Sequence, residues 1–372
     1  MAPSDSGLQA VSLSFKVRAR PIAGGIRGGQ KKIEERVLRR PKQTVRQTST
    51  LSRRTLLAGM GAFALSACTD SSKSPANPTP EVPEIRLGVL EVTDTAPLFV
   101  AQREGIFAKY GLNPKFVTME LTGDQRPDLE QGGQADVTFD SWVTIFLNIT
   151  DGADWVVLGE AYQAAPRTTG LVIAQSGINR LRSVSDLKGK PIGVNNLRGL
   201  GVLLTNSLLR TNGMLPTDVN YVERPFDKLA DAVASGDVAA AWMVEPYMTR
   251  SQLETKCVLF ADTAVGPTAD FPQSGYACAR SFARRNPNTV RAFQLALAEA
   301  QQRALDRALV EEVLPEYIKV SKNVAQLMNL GAYPSTTLAI RPQRVADLML
   351  EQQFLKARID VTSRMASVNP PS

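Results

Sequence analysis

Carboxylates, amides, hydroxyls and cysteines carry the chemistry available to this chain, because its 372 residues include no histidine. Ser-His-Asp and Cys-His nucleophilic catalysis need an imidazole base, and many zinc and iron sites need imidazole ligands. Histidine-based pH switching is excluded for the same reason. Few hydrolytic mechanisms survive this exclusion, and we expect no metal or cofactor.

Cys68 ends the sequence Leu-Ser-Ala-Cys, which resembles the lipobox of bacterial lipoproteins. Residues 55–67 before it are uncharged, and Arg53 and Arg54 come just before those. The uncharged stretch is shorter than the roughly 20 residues of a membrane-spanning helix, but it fits a signal peptide. The arginine pair resembles a twin-arginine export signal. We expect residues 1–67 to be an N-terminal extension and signal peptide, and Cys68 to attach an exported protein to the membrane by lipid, on its outer face or in the periplasm.

Charge is divided unevenly along the chain. Residues 1–67 contain thirteen Lys and Arg against three Asp and Glu, whereas the whole chain has 43 against 36. Residues 68–372 therefore hold 30 against 33, a net charge of −3. This mildly acidic remainder has no obvious polyanion-binding character, so we expect no nucleic-acid partner. Residues 1–50 are either a genuine extension or a stretch ahead of the true start.

Two further cysteines, Cys257 and Cys278, each lie in a short strand-like run. An even pair in an oxidising compartment permits a disulfide, and we expect one across a sheet. The alternative is two separate buried thiols.

Strand-like and helix-like segments alternate from Ile85 onward, after a Ser/Pro-rich tether over residues 68–84, and this alternation predicts an α/β fold. Pro97 is placed to open a helix running to about Tyr110, which Gly111 would end. Asn286-Pro287 is placed to open a long helix in the more helical last hundred residues.

Three segments resemble one family: residues 87–112, residues 187–194 and residues 234–247. They are similar to the opening and the second lobe of extracytoplasmic solute-binding proteins for nitrate, sulfonates, taurine and thiamine-type pyrimidines, the NMT1/THI5-like and SsuA-like proteins. The resemblance implies a two-lobed periplasmic-binding-protein-like fold (type II) with two crossover strands and a ligand cleft that closes by hinge motion. We expect lobe 1 to comprise residues 85–174 and 268–372, and lobe 2 residues 175–267.

Strand-to-helix loops are where such sheets bind ligands, and they supply the candidate site residues. The resulting candidates are Thr93, Asp94 and Thr95 (beside Pro97); Asp140, Ser141 and Trp142; Asn195, Gly199, Leu200 and Gly201 (beside Asn196 and Arg198); Glu245 (beside Tyr247); and Tyr162 and Gln163 near the first crossover.

Each candidate also has a structural interpretation. Asp94 and Asp140 are equally consistent with helix caps, and Glu245 before a proline with a structural acid at a turn. Trp142 is more typical of a core residue than of a ligand-stacking platform. Arg198 is more typical of a solvated side chain.

We expect a monomeric binding protein, not an enzyme, that captures a small solute and delivers it to the permease of an ABC importer. Acids at three cleft loops would repel an anion, which favours a nitrogen-rich or zwitterionic ligand over nitrate or a sulfonate. Two alternatives remain: a pyrimidine- or menaquinone-precursor enzyme on the same fold, or a surface lipoprotein without a transport role.

Overall fold

Two five-stranded mixed sheets, each flanked by helices, organise the computed structural model, which describes residues 79–119, 128–129 and 133–366. The first sheet has the order β2-β1-β3-β10-β4 and the second β7-β6-β8-β5-β9. The strands of the first are β1 (Arg86–Val89), β2 (Lys115–Thr118), β3 (Val137–Ser141), β4 (Trp155–Gln163) and β10 (Pro272–Ala279). Those of the second are β5 (Thr169–Ala174), β6 (Pro191–Val194), β7 (Asn220–Glu223), β8 (Ala240–Val244) and β9 (Cys257–Asp262). The predicted α/β class is confirmed.

Both sheets repeat one pairing pattern. In the first, β1 pairs in parallel with β2 and β3, and β10 runs antiparallel between β3 and β4. In the second, β6 pairs in parallel with β7 and β8, and β5 runs antiparallel between β8 and β9. The chain passes between the sheets twice, from β4 to β5 and from β9 back to β10.

These pairings place the first boundary between the lobes before Thr169, whereas the expected boundary follows residue 174. Thr169–Ala174, assigned above to lobe 1, is strand β5 of the second sheet, where Gly170 lies opposite Met243. The apolar run at this position predicts a strand equally well in either sheet, because periodicity does not encode which strands pair.

The helices follow local signals in the sequence. They are α1 (Ala96–Arg103), α2 (Ile106–Lys109), α3 (Trp142–Thr150), α4 (Leu200–Thr211), α5 (Phe226–Ser235), α6 (Tyr247–Glu254), α7 (Arg280–Arg285), α8 (Pro287–Arg303), α9 (Arg307–Tyr317), α10 (Lys322–Leu327) and α11 (Ile340–Glu351). Pro97 lies in the first turn of α1 and Pro287 at the start of α8, as predicted. The single helix expected up to Tyr110 is broken into α1 and α2, because Gly105 takes a left-handed conformation with φ of +69°.

The central strands are buried along almost their whole length, since helices cover the sheets. Every residue of β8 and of β10 is buried, including the polar Gln273 and Ser274. Within the described ranges no helix combines the length and apolarity that crossing a bilayer requires. Cys68, Arg53, Arg54 and most of the tether fall outside those ranges.

Candidate functional site

A cleft lies where loops at the carboxyl ends of β1 and β3 meet those of β6 and β8. It contains about 650 Å³ of space, part of it open solvent. Its lining from the first sheet and its loops is Leu90, Val92, Asp94, Phe139, Asp140, Ser141, Thr144, Gln273 and Ser274. The lining from the second sheet is Asn195, Asn196, Gly199, Leu200, Phe226, Trp242 and Val244. Open α/β sheets bind ligands at this edge, so the cleft is the candidate site.

Asp94 lies in the short turn between β1 and α1 and is almost fully buried, at 3% exposure. Its Oδ2 accepts hydrogen bonds from Ser274 Oγ at 2.7 Å and Gln273 Nε2 at 3.2 Å, both in β10. Burial raises the pKa of Asp94 to about 6, although the two hydrogen bonds lower it in part. Since the carboxylate bonds across the sheet, it does not cap α1.

Asp140 is the last buried residue of β3, and its carboxyl group is less well supported. Oδ1 accepts a hydrogen bond from the backbone N–H of Ser141 at 2.6 Å, whereas Oδ2 is buried with no hydrogen-bond partner. Burial raises the pKa of Asp140 to about 7, although hydrogen bonds from the Ser141 N–H and the Thr144 side chain lower it in part. The cap of α3 is Ser141, whose Oγ accepts the Thr144 N–H, so Asp140 is free of that role.

The opposite wall is built on the start of α4. Asn195, Asn196, Gly199 and Leu200 reach the cleft from the loop after β6. Asn196 Oδ1 accepts the Arg198 backbone N–H at 2.7 Å, which fixes the loop. No side chain caps α4 at Gly199.

Aromatic and aliphatic side chains form the rest of the wall. Trp242 and Phe226 lie with ring centroids 6.1 Å apart, and the Trp242 indole donates to Thr263 Oγ1 at 3.2 Å. The polar edge of this indole is therefore already occupied, and its apolar surface contributes to the cleft.

The charge of the lining is one-sided. Asp94 and Asp140 are its two ionisable residues, and it contains no Lys or Arg among the described residues. Arg198, in the loop that precedes α4, is not part of the lining, and its guanidinium lies 3.5 Å from Asp151 Oδ2.

Several predicted residues lie outside the cleft. Trp142 is fully buried and stacks on Phe146, and it fills the space that a Cβ at Gly275 would occupy. Gly201 packs directly against the Trp242 ring. Both residues are therefore engaged in close packing.

The crossover candidates are also structural. The hydroxyl of Tyr162 accepts the Gly331 N–H, and Gln163 Oε1 accepts from Arg341 at 2.6 Å. Thr93 and Thr95 lie in the turn with Asp94 but do not line the cleft. The Thr95 hydroxyl donates within its own turn, to Val92 O at 3.1 Å.

Glu245 lies at the turn between β8 and α6. Its carboxylate accepts hydrogen bonds from Thr249 Oγ1 at 2.8 Å, Thr249 N at 3.0 Å and Asn329 N at 3.2 Å. Burial raises the pKa of Glu245 despite these donors. Tyr247 beside it stacks on Phe226, with ring centroids 4.9 Å apart. Neither residue lines the cleft.

The expected disulfide is not formed, because Cys257 and Cys278 are both free and buried. Cys257 lies in β9 of the second sheet, opposite Ala174, and Cys278 lies in β10 of the first sheet, opposite Val156. The two strand-like runs are real, but they belong to different sheets.

Gln273 and Ser274 are the main site residues that sequence reasoning missed. They reach Asp94 from 179 and 180 residues along the chain, in a strand that turns back into the first sheet. The local sequence does not predict that Gln273 and Ser274 donate hydrogen bonds to Asp94. Trp242 was also missed, since it lies within a fully apolar run.

Comparison with known proteins identifies the family. Residues 92–308 match the family model described as NMT1/THI5 like. The nitrate/nitrite binding protein NrtA of Nostoc sp. (strain PCC 7120) is 25% identical over 263 residues, which is 66% of this chain and 59% of that protein. The chain thus matches less than two thirds of this curated relative's length.

Solved structures share the fold at low identity. The periplasmic aliphatic sulphonate binding protein SsuA from Escherichia coli aligns with a TM-score of 0.61 and 19% identity, over 77% of this chain and 98% of that one. The periplasmic nitrate-binding protein NrtA from Synechocystis PCC 6803 aligns with a TM-score of 0.64 and 16% identity, over 77% and 85% of the two chains. The chain belongs to the NMT1/THI5-like family and has the two-lobed α/β fold of periplasmic binding proteins.

Proposed function

We propose that this protein is an exported, lipid-anchored solute receptor that captures a small molecule in its cleft and delivers it to an ABC importer. The observation that carries the proposal is the cleft itself, in which polar and aromatic side chains from both sheets converge. The two chain crossings suit hinge closure around a ligand, as expected for this architecture. The importer would be of the nitrate/sulfonate/taurine or thiamine-precursor type.

Delivery to a permease is supported by relatives that are named binding proteins for nitrate, nitrite and aliphatic sulphonates. A genetic test is direct: deletion of the gene should abolish uptake of the solute that the purified protein binds. Uptake at the wild-type rate in the deletion strain would refute delivery.

Lipid anchoring is supported by the residues around Cys68. One acyl chain holds a protein only marginally at a membrane, so we propose multiple acylation of Cys68. In cells labelled with radioactive palmitate, the protein should carry label and sediment with membranes. Cys68→Ser should remove both properties, and a membrane-bound, labelled Cys68→Ser protein would refute the anchor.

Solute capture is testable by thermal shift of the purified full chain against sulfonates, nitrate, taurine, amines and aminopyrimidines. A ligand present at a free concentration of 100 times its Kd stabilises the folded state by about 2.7 kcal/mol. The melting temperature should therefore rise with one class of solute. A matched screen with Asp140→Asn identifies binding at the cleft, and a panel without any shift would contradict the receptor function.

A further inference from the structure

Two buried oxygen atoms of the cleft-lining residues have no hydrogen-bond partner, namely Asp140 Oδ2 and Gln273 Oε1. Both residues are more than nine-tenths buried, at 5% and 4% exposure. Leaving a buried polar atom unpaired costs on the order of 1–3 kcal/mol, and more for a charged group. Both atoms are acceptors when Asp140 is ionised, so they lack donors.

Most donors beside them are already engaged. Ser274 Oγ and Gln273 Nε2 both donate to Asp94 Oδ2, and the Ser141 N–H donates to Asp140 Oδ1. The Thr144 hydroxyl, which lies 3.0 Å from Ser141 Oγ, is the remaining donor near Asp140. The lining contains no Lys or Arg among the described residues. This wall therefore offers acceptors and negative charge, and lacks a positive counterpart.

We infer that the recognised group of the ligand is a cationic nitrogen donor, such as an amidinium, guanidinium or protonated amino-heterocycle, which donates to Asp140 Oδ2 and Gln273 Oε1. The inference rests on the proposed receptor function and specifies its solute class. A cation with several N–H groups supplies both missing hydrogen bonds and balances the carboxylate charge. The Trp242 and Phe226 rings suit a planar or apolar remainder, and an indole face attracts cations.

An oxyanion fits this wall poorly. When Asp140 is ionised, above its pKa of about 7, nitrate and sulfonates offer acceptor oxygens only, so both unpaired oxygens would stay unpaired. Their charge would also oppose Asp94 and Asp140 in a partly desolvated site, where like charges repel strongly. The chain would thus differ in ligand from the nitrate- and sulphonate-binding proteins that share its fold.

Benzamidine, benzamide and benzenesulfonate share a phenyl ring and differ in charge, so they test the inference on the full chain together with nitrate. Isothermal titration calorimetry gives Kd, and intrinsic fluorescence reports the environment of the three tryptophans, of which Trp242 lines the cleft. We expect benzamidine to bind most tightly. Asp140→Asn should weaken it roughly 10- to 100-fold, the range for a hydrogen bond to a charged group.

Matched variants separate recognition from folding. Asp154→Asn makes the same change at a 64% exposed side chain outside the cleft and should leave the Kd unchanged. Gln273→Met keeps the side-chain length and removes both the unpaired acceptor and the amide group that donates to Asp94, and it should weaken benzamidine several-fold. Circular dichroism spectra matching wild type would establish that the variants fold.

Preference for benzenesulfonate or nitrate over benzamidine would overturn the cationic class and leave the receptor function standing. Equal binding of benzamidine by wild type and Asp140→Asn would also overturn it. If none of the four probes binds at millimolar concentration, the cationic class is refuted. The broader solute screen and the uptake assay then decide the receptor function separately.

Discussion

Replacing Asp140 by Asn should change how stability depends on pH. The pKa of Asp140 rises from its ordinary value of 3.8 to about 7 because the carboxyl group is buried. Between those pH values the folded state holds a proton that the unfolded state has released. The free energy of unfolding of the wild type therefore falls as pH rises from about 4 to about 7. At 1.36 kcal/mol per unit, the shift corresponds to a loss of about 4 kcal/mol.

Asparagine cannot ionise, so the variant escapes this loss. Its Nδ2 would replace the unpaired Oδ2 and carry two N–H donors where the protonated acid carries one O–H, and this additional unpaired donor costs about 1–3 kcal/mol relative to the protonated acid. We therefore expect the variant to be less stable than wild type by about 1–3 kcal/mol at pH 4. At pH 8 the order should reverse by a similar amount.

Urea unfolding followed by circular dichroism at pH values from 4 to 8 measures this difference. Asp154→Asn is the control, because its side chain is 64% exposed and surface ion pairs contribute at most about 1 kcal/mol. A difference between wild type and Asp140→Asn that stays constant from pH 4 to pH 8 would refute the burial argument. For the control, the free energies of unfolding of wild type and Asp154→Asn should differ by the same amount at every pH.

Packing and ion pairing give two further predictions. A Cβ at Gly201 would lie 2.5 Å from the Trp242 ring, so Gly201→Ala should lower the free energy of unfolding by about 1–3 kcal/mol. Gly177→Ala is the control: a Cβ at Gly177 meets open space, so this substitution should change the free energy of unfolding by less than about 0.5 kcal/mol. Arg341 donates two 2.8 Å hydrogen bonds to the fully buried Glu160, so Arg341→Met should lower the free energy of unfolding by about 3 kcal/mol, and adding Glu160→Gln should recover part of that loss. Chemical denaturation checks the Gly201 and Arg341 predictions. An unchanged unfolding midpoint in Gly201→Ala or in Arg341→Met would contradict the corresponding prediction.

Local signals were sufficient to predict the elements but not their partners. Pro97 fixes a backbone angle suited to a first helical turn, and Gly105 and Gly111 take left-handed conformations. The ends of these helices can therefore be predicted from the residues next to them. The pairing of Thr169–Ala174 with the second sheet depends instead on contacts between distant strands. The same limit explains the error over Cys257 and Cys278.

The candidate site shows the same division. Asp94 and Asp140 were predicted because they follow strands at the edge where such sheets bind ligands. Their capping role was excluded only by geometry, since Ser141 caps α3 and Asp94 bonds to β10. Trp142 and Trp242 are both buried, and the sequence does not indicate that only Trp242 lines the cleft. That distinction depends on tertiary packing, in which Trp142 lies against Gly275 of β10 and Trp242 against Gly201 of α4.

The position of β10 has a consequence for biosynthesis. This strand occupies the place between β3 and β4, yet residues 164–271 lie between β4 and β10 in the chain. A nascent chain that has emerged only as far as the second sheet still exposes one unpaired edge on β3 and leaves β4 without a strand partner. Such edges promote aggregation, and closing a long loop before they pair is entropically costly and slow. The first sheet therefore reaches its final form late, only after residue 279 has left the ribosome.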